Sequence, residues 1–578
     1  MPTIRLIFIV LLVAFGVSAV HGQDEKKGEE DLSKAIELNI VASTDRDLDE
    51  IADLCESAIG KGLSEDSEKL ARQLWVSTLY AHGESYTNRI FSGEFGDRWP
   101  AYRRRALSRL EKAVEVDPNF APAQMSIARL NLELPRGDID AGRKAVEKFL
   151  SLSEGSGKDL SMGYLFQARL SDNDDETIAL LTKAIEADPT NLDALKLRGA
   201  RYLAQGTAPQ ASEDDDQRPA DEDRKEPVDS KFIDLAIQDF LKLAELEPES
   251  ATGYAIVAEA LASQKKYEEA LSYADKVLEI ETDRPEGYLL KARIYRDSER
   301  VDEAIQAAGK AIEMDDASPE SYMFRAQLLY EQKKYDEALA DVDKVLEIEP
   351  RAVSGFYMRG FINLALDNFD QAIADMGILL QNAQMNYRRN PNDESAFRAL
   401  MNYTNDFAMF HVAAKRSRFA IQLYDQVLKE EPDSVRALRG RADAYLNIGD
   451  HDKAIADYEA ALAITPDDEG ILNNFAWVLS TSPDDHIRDG ARSLELGLKA
   501  AELTEYKKAY ILSTLASCYA ESGDFELARK WATKAVELAE SDEQRESLQK
   551  ELDSYLKNEP WRIRESEDED KDKNEEDK

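Results

Sequence analysis

Cysteine is almost missing from this chain of 578 residues: Cys55 and Cys518 stand at opposite ends. Two thiols so far apart in an extended molecule offer no disulfide framework and no cysteine zinc site, so both read as small apolar residues. Histidine is also scarce. His21 falls in the N-terminal leader, and His82, His411, His451 and His486 are scattered, none with a Cys or His at metal-ligand spacing. No Gly-rich phosphate loop, nucleophile elbow, H-E-x-x-H pair or pair of catalytic carboxylates at a strand end is present. With so many acidic residues, chance carboxylate pairs carry no weight. No cofactor is implied, and an enzyme is not the expectation.

Positive charge is the third shortage, with 73 Lys+Arg against 115 Asp+Glu and a net charge of −42. Such a surface is soluble and repels nucleic acid and anionic lipid; it favours a basic or cation-rich partner. Apolar runs of spanning length are the fourth. Arg5 precedes the run Leu6–Val20, which ends in Val20-His21-Gly22 before a sharply polar stretch from Gln23. That layout predicts a secretory signal peptide over 1–22, with an uncleaved anchor as the alternative. The expected location is the periplasm or the outside of the cell, with no membrane span in the mature chain.

What the chain does have is a period. Ala270, Ala304, Ala338 and Ala372 are 34 residues apart, as are Ala420 and Ala454. A length of 578 residues exceeds one ordinary core, and a repeat array supplies the organisation. Each unit reads as two amphipathic helices. The first carries a ring and then a small residue: Tyr254 and Ala258, Tyr288 and Ala292, Tyr322 and Ala326, Phe356 and Gly360. The small residue lets the second helix approach, and the recurring Ala does the same from the other side. Pro350, Pro432 and Pro466 close units, since proline cannot continue a helix.

The stretches from Tyr322 to Pro350 and from Leu438 to Pro466 resemble the tetratricopeptide (TPR) family in period, small residues, ring positions and closing proline. The resemblance covers most of 250–540 and, more weakly, 64–249. It implies an all-α, right-handed superhelical solenoid of helix pairs with a concave groove, used for binding and scaffolding.

Breaks in the period mark insertions. The second helix of the repeat opened by Ala200-Arg201-Tyr202 is displaced by 25 residues, so a Pro- and Asp-rich disordered insert is expected over about 207–231. The gap from Ala372 to Ala420 carries 14 extra residues around 381–395, predicted to lengthen helices around an Asn390-Pro391-Asn392 turn. Smaller insertions fall at 91–99 and 482–489. The expected organisation is an irregular helical N-terminal part at 23–153 and TPR-like repeats at 154–249. A regular array follows at 250–380, interrupted repeats at 381–540, a closing helix at 541–557 and an acidic disordered tail at 558–578.

The repeats also share a charge rule. Arg325, Arg359 and Arg441 are each followed 16 residues later by Asp341, Asp375 and Asp457. Arg198 is followed by Asp239 at 16 plus the 25 inserted residues. Where the first site is not Arg, as at Val257 and Lys291, the second is Tyr273 or Ala307. The carboxylate tracks the arginine across an insertion, which predicts bridges tying the two helices of one repeat rather than a ladder for an anionic ligand.

The resemblance places partner contacts on the groove surface of the first helices. There the candidates are Arg293, Gln327, Tyr330, Tyr357, Phe361, Arg439, Asp443, Asn473 and Trp477, mixed in character and unlike a carboxylate clamp. Aromatic and arginine anchors are the usual hot-spot types, although Tyr357, Phe361 and Trp477 could equally pack between repeats. Asp45, Asp47, Asp49 and Glu56 have part of a calcium-loop spacing, but Glu50 replaces the needed Gly and the acids suit a helix start. Asn402-Tyr403-Thr404 matches a glycosylation acceptor inside a predicted helix. The expected function is a scaffold holding a peptide or protein in the groove; the alternative is an assembly component of a cell-envelope complex bound through ends or edges.

Overall fold

The computed structural model describes residues 25–153, 157–208 and 229–563. Among these residues it holds 27 α-helices and no strand, an all-α superhelical repeat fold. The chain divides into two units, Met1–Asp283 and Arg284–Lys578.

In the first unit consecutive helices pack as six pairs. They are α1 (Glu25–Val41) with α2 (Asp45–Gly60), α3 (Glu65–Phe91) with α4 (Trp99–Val116), α5 (Ala121–Leu132) with α6 (Ile139–Leu152), α7 (Lys158–Arg169) with α8 (Asp174–Ala187), α9 (Leu192–Thr207) with α10 (Ser230–Leu246), and α11 (Thr252–Ser263) with α12 (Tyr267–Ile280). The second unit has seven more: α13 (Glu286–Asp297) with α14 (Val301–Met314), α15 (Pro319–Glu331) with α16 (Tyr335–Ile348), α17 (Val353–Ala365) with α18 (Phe369–Arg389), α19 (Glu394–Ala413) with α20 (Ser417–Glu430), α21 (Val435–Asn447) with α22 (His451–Ile464), α23 (Glu469–Thr481) with α24 (Gly490–Leu503), and α25 (Ala509–Glu521) with α26 (Phe525–Glu537). A last helix, α27 (Asp542–Leu556), packs on α26 and α25.

Small residues sit where two helices meet. Ala270, Ala304, Ala338, Ala372, Ala420 and Ala454 are all fully buried, as are Ala258, Ala292, Ala326 and Ala442. An added methylene at any of them has no space to enter. The turn inside each regular pair is set by one left-handed residue: Lys265, Glu299, Lys333, Asp367, Lys415 and Gly449, with φ between 58° and 76°. It closes the first helix with a six-to-one hydrogen bond, as Lys334 N to Leu329 O at 2.9 Å and Arg416 N to His411 O at 2.8 Å.

The inserted residues have visible destinations. Helices α18 and α19 are 21 and 20 residues long, where α16 and α17 have 14 and 13. Seven extra residues on each account for the 14 and give each about two further turns. The first insertion leaves and returns at one point: Asp229 N bonds Gly206 O at 2.8 Å, and Asp229 caps α10. Its expected span of 207–231 is therefore narrower in the structure, with Thr207 ending α9 and Ser230 starting α10; residues 209–228 lie outside the described residues. The expected leader at 1–22 lies outside them too.

The acidic tail expected from 558 does not begin there. Chain from Asn558 to Ile563 is folded back: Arg562 meets Glu521 at 2.5 Å, and Ile563 N donates to Thr481 O at 2.9 Å. Asp45 and Asp47 lie in the first turn of α2, where Thr44 and Asp47 form a capping box.

Candidate functional site

The four arginine–aspartate pairs come together with the same two-pronged geometry. Arg325, Arg359 and Arg441 each donate Nε and Nη2 to the two oxygens of Asp341, Asp375 and Asp457 at 2.7–2.8 Å. Arg198 does so to Asp239 at 2.9 and 2.6 Å. The aspartates are almost wholly buried, from 1% to 7% exposed. Parallel charge-assisted bonds of this kind fix orientation as well as distance.

Sequence spacing missed a third prong. Nη1 of Arg359 reaches Asp343 at 2.9 Å, Nη1 of Arg441 reaches Asp425 at 2.5 Å, and Nη1 of Arg198 reaches Thr182 at 3.0 Å. Each of these partners lies 16 residues before its arginine, on the second helix of the preceding repeat. One guanidinium thus ties three helices. At the matching place for Arg325 stands Gly309, with no side chain to accept. The signal was in the sequence: 16 residues on either side of the arginine, not one. These hydrogen bonds push the Arg359 and Arg441 guanidinium groups to still higher pKa, Asp375 and Asp457 contributing most. The arginines are committed to the frame.

The first-helix candidates divide differently. Arg293 and Gln327 are exposed on α13 and α15, and Tyr330 is half-buried with its ring 5.4 Å from Tyr335. Tyr357 on α17 is 37% exposed, its ring 4.9 Å from Phe361 and 6.4 Å from Tyr403 of α19. Phe361 stands edge-on to the buried Phe410 at 5.1 Å and belongs to the packing between repeats.

Asp443 is turned inward, accepting from the Tyr458 hydroxyl and from Asn474 Nδ2 at 3.1 Å. Burial raises its carboxyl pKa, and Tyr458 opposes this. Asn473 is buried and donates to Asn474 Oδ1 at 3.2 Å, and Trp477 is half-buried. Arg439 is exposed and forms no hydrogen bond or ion pair among the described residues; its guanidinium lies 3.1–3.2 Å from where a β-carbon on Gly470 of α23 would be.

Asp406 and Arg436 were not singled out by spacing. Asp406 is 3% exposed beside Tyr357 and is ion-paired with Arg436 of the next repeat. Burial holds its carboxyl above the usual range in spite of that arginine. Residues 381–441 hold ten Lys+Arg against seven Asp+Glu, a net +3 within a chain of net −42. Charge counted by segment would have found this stretch. Among the described residues no three His, Cys, Asp or Glu side chains gather to hold a metal, and no described helix is long and apolar enough to cross a membrane.

Known families match the same stretches. A tetratricopeptide repeat family model matches residues 228–285 and 406–469, and a second matches 509–542. The model of the anaphase-promoting complex, cyclosome, subunit 3 matches 263–340 and 297–377. DnaJ homolog subfamily C member 3 from Mus musculus and from Rattus norvegicus is 35% identical over 89 residues, which is 15% of this chain and only 14% of each relative. Among solved structures, a tetratricopeptide repeat protein from Parabacteroides merdae is 16% identical, covering 53% of this chain and 98% of its own, with a TM-score of 0.36. YrrB, described as a TPR protein with an unusual peptide-binding site, is 18% identical, covering 41% and 96%, with a TM-score of 0.25. The period, the buried alanines, the left-handed turns and these family matches agree: the matched stretches are tetratricopeptide repeats.

Proposed function

We propose that this chain is a non-enzymatic scaffold that holds a protein or peptide partner against the first-helix face of its second unit, which forms the concave groove. TPR repeats serve protein–protein interaction in general. One observation supports the finer reading: the repeat arginines are consumed inside the frame, while Tyr357, Tyr403 and Arg439 on neighbouring first helices are left partly or wholly open. Rigid aromatic and arginine side chains bind at low entropic cost. The acidic surface of the whole chain favours a basic partner and a salt-sensitive association, and the leader-like residues 1–22 favour an exported location.

Crosslinking with mass spectrometry in the native host, repeated with Tyr357→Ala, tests the reading. Phe361 is unsuited to the test because it packs on Phe410. Loss of the crosslinked partner is the expected result. Full retention would favour the second reading, assembly through edges. That reading has its own observation: α18 exposes Met385, in its extra turns, at 42% and Ile378, just before them, at 38%.

A further inference from the structure

We propose that the C-terminal ends of α23 and α25 form a peptide-docking site that reads an aromatic residue, an arginine and an aliphatic residue in succession, with Glu521 selecting the arginine. Trp561, Arg562 and Ile563 fill this site in cis until a partner segment of the same pattern replaces them. The inference rests on the groove reading above, because α23 and α25 are first helices of the second unit, and it names the chemistry of the partner.

The site follows from how α23 ends. The last four carbonyls of a helix find no donor inside it. In the regular pairs a left-handed residue closes that end, but among the described residues none lies between Gly449 and Glu505, and the insertion 482–489 stands in place of the turn. That insertion serves two of the four carbonyls: Val478 O accepts from Ser482 N at 3.1 Å, and Leu479 O from Asp489 N at 3.0 Å. The other two are served by the folded-back chain. Arg562 Nη1 donates to Ser480 O at 3.1 Å, and Ile563 N to Thr481 O at 2.9 Å. Ser480 and Thr481 are fully buried beneath it.

Glu521, at the end of α25, completes the set. Its Oε1 accepts from Arg488 Nε at 3.0 Å and its Oε2 from Arg562 Nη2 at 2.5 Å. One guanidinium therefore spans a carboxylate of α25 and a carbonyl of α23. That takes two donors fixed in one plane, a fork that a lysine ammonium lacks. Trp561 packs on the apolar cluster that holds Ala520, Ala528 and Tyr555. The occupant is held as a ligand is held. Trp561, Arg562 and Ile563 lie in no helix, and each is only half-buried, so the segment rests on the seat with its outer side open. A replacement segment needs no rearrangement of the helix pairs. It needs one main-chain N–H, one arginine fork and one ring, at consecutive residues.

The test uses the full chain, the full chain carrying Trp561→Ala and Arg562→Ala to vacate the seat, and a fluorescein-labelled, C-terminally amidated peptide of residues 558–563 titrated into the millimolar range. Anisotropy is expected to show binding to the vacated chain about ten-fold tighter than to the unaltered chain, whose tethered copy competes at high effective concentration. Arg562→Lys in the peptide is expected to weaken binding about ten-fold. Glu521→Gln in the vacated chain is expected to do the same, whereas Glu526→Gln, at an exposed acid of α26, leaves binding unchanged. Melting curves check that the variants fold. In the unaltered chain, excess unlabelled peptide is expected to speed hydrogen exchange at the Ile563 amide, a readout that needs no variant. Absent binding to the vacated chain overturns the proposal. So does equal binding to both chains, an equal effect of Glu521→Gln and Glu526→Gln, or unchanged exchange at Ile563. Absent peptide binding with Tyr357→Ala still losing its crosslinked partner removes this inference and leaves the groove reading; peptide binding with every partner retained does the reverse.

Discussion

The first three helix pairs and the pairs from α13 to α22 solve one packing problem with different side chains. Helices α1 to α6 share a continuous core rich in rings: Trp75, Tyr86, Phe95 and Phe149 are buried in it, with Tyr80, Trp99, Tyr102 and Phe120 packed around them. Cations lie over several of these rings, Arg129 at 4.5 Å from Phe91 and Arg89 at 4.6 Å from Phe95. The second unit from α13 to α22 instead has small clusters built on fully buried alanines, with Arg–Asp clamps between helices. Large rings fill gaps of uneven shape, so the first region tolerates a drifting period. Alanines and forked ion pairs work only at one helix spacing, so the second region must keep its period.

The clamp is where the comparison breaks most sharply. Arg359→Ala leaves the buried Asp375 charge without its arginine, with only Gln371 Nε2 at 3.4 Å to donate to it, and is expected to cost about 3–5 kcal/mol in urea denaturation. Arg359→Met with Asp375→Leu together is expected to cost far less, because no charge is stranded. A double variant as damaging as the single one would mean that the clamp stabilises the fold by attraction itself. Trp75→Ala in the ring-rich region is expected to cost a similar ~3–5 kcal/mol, through a cavity and not a charge. The same urea denaturation measures it.

This contrast also decides what could be read from the sequence. The regular repeats were legible because the same small residue and the same Arg–Asp interval recur, and the 48-residue gap from Ala372 to Ala420 recurs as the 48 residues between the left-handed Asp367 and Lys415. The candidate surface was less legible. Phe361 and Asp443 occupy surface positions by register, yet a ring from the next repeat and a tyrosine hydroxyl draw them inward. The Asp406–Arg436 pair spans 30 residues and crosses a repeat boundary, so neither of the recurring intervals marks it. The fold-back at 558–563 depends on single contacts of Trp561, Arg562 and Ile563, which have no periodic signature.

Buried titratable groups sharpen the comparison next. His82, in the ring-rich region, is buried but stands 3.2 Å from Asp49, so burial lowers its pKa while Asp49 pulls it back. His411 in α19 has neither ring nitrogen bonded and lies between Phe407 and Phe419; burial takes its pKa down to about 4. The unfolded chain therefore takes up a proton near the usual 6.5 while the folded one does not. Stability from this residue is full above pH 6.5 and is lost as pH falls towards 4, by about 3 kcal/mol at most. His411→Phe should flatten that acid slope in denaturation followed at the second unit.

Glu551 has the opposite sign. On α27 it is 7% exposed, accepts from the Ser513 hydroxyl at 2.5 Å, and burial raises its pKa to about 7. The folded chain holds the proton that the unfolded chain gives up near 4.5, so its contribution is complete below pH 4.5 and lost as pH rises through 7. Glu551→Gln keeps an acceptor for Ser513 without the charge. It should stabilise α27 above pH 7, by up to roughly 3 kcal/mol, and change little at pH 4. Protection of α27 amides from hydrogen exchange reads this directly, and equal protection of the two forms at pH 8 would contradict it.

The smallest expected effect lies in the turns. The ring-rich region places glycine at three of its four left-handed positions, Gly62, Gly93 and Gly96, with Arg136 at the fourth, whereas the regular repeats place Lys265, Glu299, Lys333, Asp367 and Lys415 there. A side chain in that conformation costs ~1–2 kcal/mol, and glycine returns ~0.5–1 of it as chain entropy in the unfolded state. Glu299→Gly should therefore stabilise its repeat by about 0.5 kcal/mol, and Gly449→Ala should destabilise by about 1 kcal/mol. The difference in sign is the informative part, because both changes occur at the same place in the repeat and at the same φ to within about 13°. If Glu299→Gly destabilised instead, the side chain at that turn would have to make contacts worth more than the backbone strain, and the regular array would be less generic at its turns than its period implies.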